Sequence, residues 1–337
     1  MKTRIFNALE GEGYLPEVAK ILNSDGIVAI PTETVYGLAA SAFSDSAIKK
    51  VFSAKGRPQD NPLIVHVSSV DMLKKIAKDI PNAAYTLAEK FWPGPLTMVL
   101  KKGDGVCDSV TAGLDSVAVR LPESRTARDI INAARLPLAA PSANISGYPS
   151  PTKAEHVIAD LSGKIDAVVA GEDCRVGVES TVITLVTNPP RLLRPGAVTA
   201  EQLREILPEL IIDPAVLSEL KSGEKAASPG MKYKHYSPKT QVVLVEADAK
   251  GFADFVNGKK NAVAVSFVED KGIEIPNIVY GERESGEQLA HSIFSVLRDL
   301  DKSEFEIAYV HAPSKSGAHL AVYNRLIRAA GFNVIKL

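Results

Sequence analysis

The sequence predicts an α/β protein in two parts: a mixed α/β domain over residues 1–212 and a small doubly wound, Rossmann-like sheet of parallel strands over 241–337. Three features carry that expectation. Along the first part, apolar runs of strand length are interleaved with helix-period segments, without the strict strand–helix rhythm of an all-parallel sheet. Between 213 and 240 the hydrophobic periodicity fails, and Lys221-Ser222-Gly223-Glu224-Lys225-Ala226-Ala227-Ser228-Pro229-Gly230 carries the small and chain-breaking residues of a linker. Beyond the linker, strand and helix patterns alternate in the manner of a parallel sheet.

In chain order, residues 16–23 read as a helix and 26–30 as a buried strand, which runs into the turn-rich segment 31–37. A helix over 46–54, opened by Asp45 or Ser46 as its cap, stops at Lys55-Gly56-Arg57-Pro58, where glycine and then proline end it. A strand follows at 63–67, helices near 70–78 and 82–91, and strands near 96–100 and 117–121. A helix around 125–134 leads to a strand at 137–140. Strands near 167–170, 180–186 and 191–193 and a helix at 200–206 complete the first domain. After the linker come strand 241–246, helix 250–256, strands 262–267 and 277–280, helix 287–300, strand 307–310, helix 317–330 and strand 333–336.

At 337 residues the chain exceeds the usual size of one hydrophobic core, so two domains are the default. Its 45% hydrophobic and 23% charged residues match ordinary globular composition, which excludes a largely disordered or fibrous chain. The formal net charge of −1 supplies no global basic field for a nucleic-acid backbone. Cys107 and Cys174 lack the paired spacing of a zinc site and read as two reduced thiols. The first ten residues lack an apolar leader core and no apolar run approaches the ~20 residues of a membrane span, so the expected location is the cytoplasm.

Chemistry-bearing residues gather in loops beside strand ends, where an α/β sheet opens its ligand crevice. Lys55 and Arg57 come first, with Asn61 and His66 soon after. The run Ala139-Ala140-Pro141-Ser142-Ala143-Asn144-Ile145-Ser146-Gly147 then offers hydroxyl, amide and backbone donors suited to phosphate oxygens. Gly177-Val178-Glu179-Ser180-Thr181 and Leu193-Arg194-Pro195-Gly196 follow, the second able to present a fixed guanidinium fork. Each piece alone is more often a surface turn than a site. Tyr36 is a core aromatic or a wall of the site, and the C-terminal part carries no glycine-rich dinucleotide fingerprint.

Together these segments resemble the YrdC-like family of threonylcarbamoyl-AMP synthases, marked by a Lys-x-Arg pair and a later Ser-x-Asn pair, here Lys55/Arg57 and Ser142/Asn144. The strings PTETVYGL (31–38), KGRPQDNPLIVH (55–66), WPGPLT (92–97), PSANISG (141–147), GVESTVI (177–183) and LRPG (193–196) are similar to that family's and stand in its order. The segment Ser228 to Pro238 resembles the linker of its two-domain form.

The resemblance implies a nucleotidyltransferase that converts L-threonine, bicarbonate and ATP to threonylcarbamoyl-AMP and pyrophosphate, toward threonylcarbamoyladenosine in tRNA. It implies a YrdC-like twisted mixed sheet in the first domain and catalytic roles for Lys55, Arg57, Ser142 and Asn144. ATP contacts are implied at Arg57, Asn61, Ser116, Ser142, Ser150, Arg194 and Tyr236. Threonine contacts are implied at Thr34, His66, Arg120, Ala140 and Ser180, with Ala140 offering backbone groups only. Magnesium is expected to ride on the phosphates with no dedicated protein ligand. Tyr236 and His235 are lid candidates in a linker spanning 213–240. Downstream threonylcarbamoyl-transferase proteins and weak tRNA or RNA binding are the further partners implied, with no membrane partner. The related carbamoyl-adenylate enzymes of hydrogenase maturation carry zinc fingers that two lone cysteines do not supply.

Overall fold

Eleven short strands from the first part of the chain join in one mixed sheet. The structure, a computed structural model, describes residues 2–218 and 236–337. The strands are β1 (Arg4–Asn7), β2 (Val28–Ile30), β3 (Gly37–Ser41), β4 (Ile64–His66), β5 (Leu96–Lys101), β6 (Ser116–Arg120), β7 (Leu138–Ala139), β8 (Ala167–Ala170), β9 (Thr181–Thr184), β10 (Arg191–Arg194) and β11 (Ile211–Ile212). They lie in the order β1-β8-β2-β3-β7-β4-β6-β5-β9-β10-β11. Pairs such as β1–β8 and β4–β6 are parallel, while β2–β3 and β5–β6 are antiparallel.

Both faces of the sheet are covered because successive strand residues point to opposite sides. In β2, Val28 and Ile30 join the helices Leu15–Asn23 and Arg125–Ala134 in one core, while Ala29 joins a larger core on the other face, with Val51, Leu87 and Leu203. The helix Asp45–Lys55 is capped by Ser44, whose hydroxyl accepts from the Ala47 amide, and not by Asp45 or Ser46. At its other end Gly56 adopts φ 60°, a left-handed turn that glycine takes without a Cβ penalty.

The second part forms a five-stranded sheet of β12 (Gln241–Glu246), β13 (Ala262–Phe267), β14 (Asn277–Gly281), β15 (Ile307–His311) and β16 (Val334–Lys336), in the order β14-β13-β15-β12-β16. Every pairing in it is parallel. The helix Ala249–Val256 packs on one face with Val245 and Ala264, and Gly286–Leu300 and His319–Ala329 pack on the other. That second core also takes in Val35, Val178 and Tyr236, so the two sheets meet through these helices.

Several local expectations are corrected. The helix expected over 70–78 ends at Leu73, because the chain turns to bury Ile76 and to bridge Ala77 with Lys102. The segment read as a turn up to residue 37 continues directly into β3, whose Gly-Leu-Ala-Ala-Ser sequence lacks the β-branched residues that advertise a strand. The helix Ala154–Leu161 has no counterpart in the sequence reading. Among the described residues, no helix is long and apolar enough to cross a membrane.

Candidate functional site

The register of the first sheet sets two chemistry-bearing side chains side by side. His66 pairs with Arg120 and Ile64 with Ala118 across β4 and β6, so these four share one face. A cleft on that face is lined by Thr34, Arg57, His66, Arg120, Ala140, Ser142, Asn144, Ser150, Ser180, Arg194 and Tyr236, all of them site residues expected from the sequence. Thr32, Tyr148 and Glu179 line it as well.

Lys55 does not line the cleft. Its side chain is 2% exposed, and its Nζ donates to the Asn144 carbonyl at 2.7 Å and to the Ser142 carbonyl. The Lys55 carbonyl accepts from the Ser146 amide at 2.9 Å. Lys55 thus staples the 142–146 loop from behind rather than facing a triphosphate. Burial, then the neighbouring Arg57, pushes its ammonium well below the usual lysine range. Asn144 also spends its amide on its own loop, donating to the Ile145 and Tyr148 carbonyls at 2.8 Å each. Of the two signature pairs, Arg57 and Ser142 line the cleft without being spent on this loop, whereas Asn144 lines it with its amide nitrogen already engaged. The Asn61 carbonyl accepts from Arg57 at 3.3 Å, so Asn61 supports Arg57 and does not itself line the cleft.

At the other side, Arg120 is held on three edges. It donates to the Gly94 carbonyl at 3.2 Å and to Thr34 Oγ1 at 2.8 Å, and forms a buried ion pair with Glu33 at 2.6 Å. Burial works against the Glu33 charge, but Arg120 and backbone hydrogen bonds together hold the carboxyl below its usual range. A guanidinium with five donors keeps two after these contacts, in a fixed planar fork. His66 stands beside it, 3% exposed, with Nδ1 lacking a hydrogen-bond partner among the described residues. Burial and then Arg120 pull its pKa down to about 3, so the ring is neutral near pH 7.

The third wall is built from two loops. Ser180 Oγ lies 2.8 Å from Thr97 Oγ1, while Arg194 donates to the Ser180 carbonyl at 3.0 Å and to its hydroxyl at 3.2 Å. Ser150 donates to Glu179 at 2.6 Å, and Arg325 of the C-terminal part donates to the same carboxylate at 2.9 Å. Burial opposes the Glu179 charge, yet Arg325 and Arg194 hold its carboxyl below the usual range. Burial lowers the Arg194 pKa to about 10. Tyr236 is 4% exposed, adopts φ 64°, and packs against Phe294 with ring centroids 5.1 Å apart. Ser237, the next residue, donates its amide to the Gly147 carbonyl at 2.9 Å.

Ser116 is not brought to this cleft. It starts β6, four residues and about 13 Å before Arg120, and lines a separate hollow with Lys101 and Lys102. Tyr36 is a core aromatic with no exposed surface, its hydroxyl accepting from the Gly171 amide at 3.1 Å. His235, with the rest of residues 219–235 of the expected linker and lid, lies outside the described residues. Glu33, Glu179 and Arg325 were missed as site residues. The first two sit inside the quoted strings, where burial of a carboxylate leaves no mark; Arg325 carries no local signal at all.

The family model described as "Telomere recombination", which covers Sua5, YciO and YrdC proteins, matches residues 20–196, and that described as "Threonylcarbamoyl-AMP synthase, C-terminal domain" matches 198–331. The chain is 43% identical to the threonylcarbamoyl-AMP synthase of Pyrococcus abyssi over 95% of this chain and 94% of that one. It is 39% identical to the Bacillus subtilis protein of the same name over 96% and 94% of the two chains. The solved structure of Pyrococcus abyssi Sua5 complexed with L-threonine superposes with a TM-score of 0.91 at 41% identity, covering 100% of both chains. With its fold and nearly its whole length matched in this way, the chain belongs to the two-domain branch of the Sua5/YciO/YrdC family of threonylcarbamoyl-AMP synthases.

Proposed function

We propose that the chain is an L-threonylcarbamoyladenylate synthase, a nucleotidyltransferase that joins L-threonine, bicarbonate and ATP into threonylcarbamoyl-AMP and releases pyrophosphate. One observation carries the reading: Arg57, Arg120 and Arg194 converge with Ser142, Ser150, Ser180 and neutral His66 in a single cleft of the first domain. Such a site is rich in positive charge and hydroxyl groups and offers no side chain poised as a covalent nucleophile. That suits a reaction in which both bonds are made by the substrates themselves.

In this reading the remaining donors of Arg120 take the threonine carboxylate as a bidentate pair. His66 Nδ1 and the Thr34 and Ser180 hydroxyls surround the rest of the amino acid. The neutral amine attacks the carbon of bicarbonate, a C–OH bond breaks and the hydroxide leaves as water with a proton from the amine; an oxygen of the resulting carbamate then attacks the α-phosphorus in line, expelling pyrophosphate. Arg57, Ser142, Ser150 and Arg194 hold the phosphate oxygens, with Tyr236 closing over the nucleotide. Lys55 and Asn144 act through the loop that they hold. Among the described residues no cluster of His, Cys, Asp or Glu suits a metal, and the one carboxylate lining the cleft, Glu179, is already engaged by Ser150 and Arg325. Magnesium would therefore be held by phosphates and water, where it neutralises charge on the leaving pyrophosphate. We assign the catalytic unit to 1–212 and the second unit to 241–337. The adenylate would pass to a transferase that acts on tRNA.

Mass spectrometry of the product formed from ATP and bicarbonate with each amino acid tests this. The expected mass is threonylcarbamoyl-AMP, with serine a poorer substrate by about 1–3 kcal/mol for its missing methyl. No carbamoyl-adenylate with any amino acid would sink the proposal.

A further inference from the structure

The C-terminal sheet contributes no strand to the cleft, yet one of its helices sends a charge into the cleft wall. Arg325, on the helix His319–Ala329, has no exposed surface and heads the fully buried side chains in size. A buried guanidinium persists only where its donors are matched, and here they are matched mostly by the other domain. Nε donates to the Glu179 carboxylate at 2.9 Å, Nη2 to the Glu179 carbonyl at 3.2 Å, and Nη1 to the Pro195 carbonyl at 2.6 Å and to Asn324 Oδ1 at 3.1 Å.

Those contacts fall on the two loops that matter most to the third wall. Glu179 directly precedes Ser180, Pro195 directly follows Arg194, and the carboxylate of Glu179 also receives the Ser150 hydroxyl. The neighbouring helix tightens the same wall, with Arg298 donating to the Pro149 carbonyl at 2.7 Å and pairing with Asp160 at 2.7 Å. By contrast, Thr34, His66 and Arg120 receive no hydrogen bond or ion pair from Arg325.

We propose that Arg325 is a positioning residue for the nucleotide half of the cleft, setting the 179–180 and 194–196 turns and cancelling the charge of Glu179. This deepens the reading of the cleft given above and rests on it. After Arg325, the cation that acts most strongly on Glu179 is Arg194. Without Arg325, the carboxylate draws that guanidinium to itself and presents its own negative charge to incoming phosphate. Nucleotide binding suffers most; threonine, which meets this wall only through Ser180 and is otherwise held by Arg120, Thr34 and His66, is weakened less.

The full-length chain tests this with three variants, Arg325→Met, Arg325→Lys and the double change Arg325→Met with Glu179→Gln. Steady-state KM values for ATP and for threonine are measured separately. Arg325→Met should raise the KM for ATP about tenfold or more, since a buried charge loses its partner, and that for threonine, which shares only Ser180 with this wall, several-fold less. Arg325→Lys keeps the charge but not the fork, so it falls between the two. The double variant should recover most of the loss, because a neutral amide calls for no counter-ion. Equal weakening of both substrates, an unchanged KM for ATP, or no recovery in the double variant overturns the inference. If Arg325→Met does not fold, the same contrast is read from Arg325→Lys and the charge-free double variant. Should the wild-type chain make no threonylcarbamoyl-AMP, the functional reading fails by itself. Calorimetric titration of wild type and variants with ATP alone then decides the role of Arg325.

Discussion

Lys55 shows how one buried side chain governs others that do the work. Its Nζ satisfies two carbonyls of the 142–146 loop. Lys55→Met keeps the stem and strands the carbonyls, an expected loss of about 2–3 kcal/mol together with at least a tenfold fall in product formation. A wild-type rate and urea midpoint in this variant would remove Lys55 from the site. His66 gives a pH signature of its own. Its folded pKa of about 3 lies below the ordinary histidine value, so the unfolded chain binds the extra proton first as pH falls. The stabilisation is complete above pH ~6.5 and drains away toward pH 3, with about 2 kcal/mol lost between pH 7 and 5. His156, drawn down to about 4 mainly by burial, titrates in the same direction. Chemical unfolding of wild type and His66→Phe at the two pH values separates them: the variant should lose about 2 kcal/mol less on acidification, and parallel losses would count against a buried neutral His66.

Elements differ in how openly their sequence announces them, and the reasons are physical. Strands β5, β6, β12 and β13 are largely apolar runs, the last three rich in valine, and the sequence marks them within a residue or two. Strand β3 is built from small residues that let the sheet and the 141–144 loop approach closely, and smallness carries no strand signal. The cleft was legible as a set of strings, because turn chemistry and cation spacing are local properties. Its inner order was not, since Lys55 meets its carbonyls 87 and 89 residues later and Arg120 meets Glu33 87 residues earlier. Gly177 marks a similar long-range constraint. It adopts φ 80°, and a Cβ there would stand 2.4 Å from the Cα of His291 on the helix Gly286–Leu300. Gly177→Ala should therefore cost about 3 kcal/mol from backbone strain and overpacking and weaken ATP use more than threonine use. A thermal midpoint equal to wild type would show that the helix and the loop do not touch as described.

At the scale of the whole molecule, the two sheets share a core and a set of buried hydrogen bonds. Asn324 donates to the Val216 carbonyl at 2.6 Å and Arg328 to the Ala215 carbonyl at 2.7 Å, beside the Arg325 and Arg298 contacts. Domains tied through matched buried charges do not part without stranding them. Calorimetry should therefore record one cooperative transition for the full chain, its calorimetric and van't Hoff enthalpies in agreement; two resolved transitions would contradict that coupling. The depth of Arg194 in the nucleotide half of the cleft, 6% exposed beside a half-buried Arg57, has a consequence for how the protein meets its surroundings. Mobile ions screen charges that face bulk water over about 8–10 Å, but they do not reach a guanidinium walled in by protein. Such a site keeps its grip on an anion in dilute buffer and in concentrated potassium salt alike, with nucleotide affinity changing by less than about threefold between 50 and 500 mM. A cell whose internal ion content rises and falls could leave this step of its metabolism undisturbed.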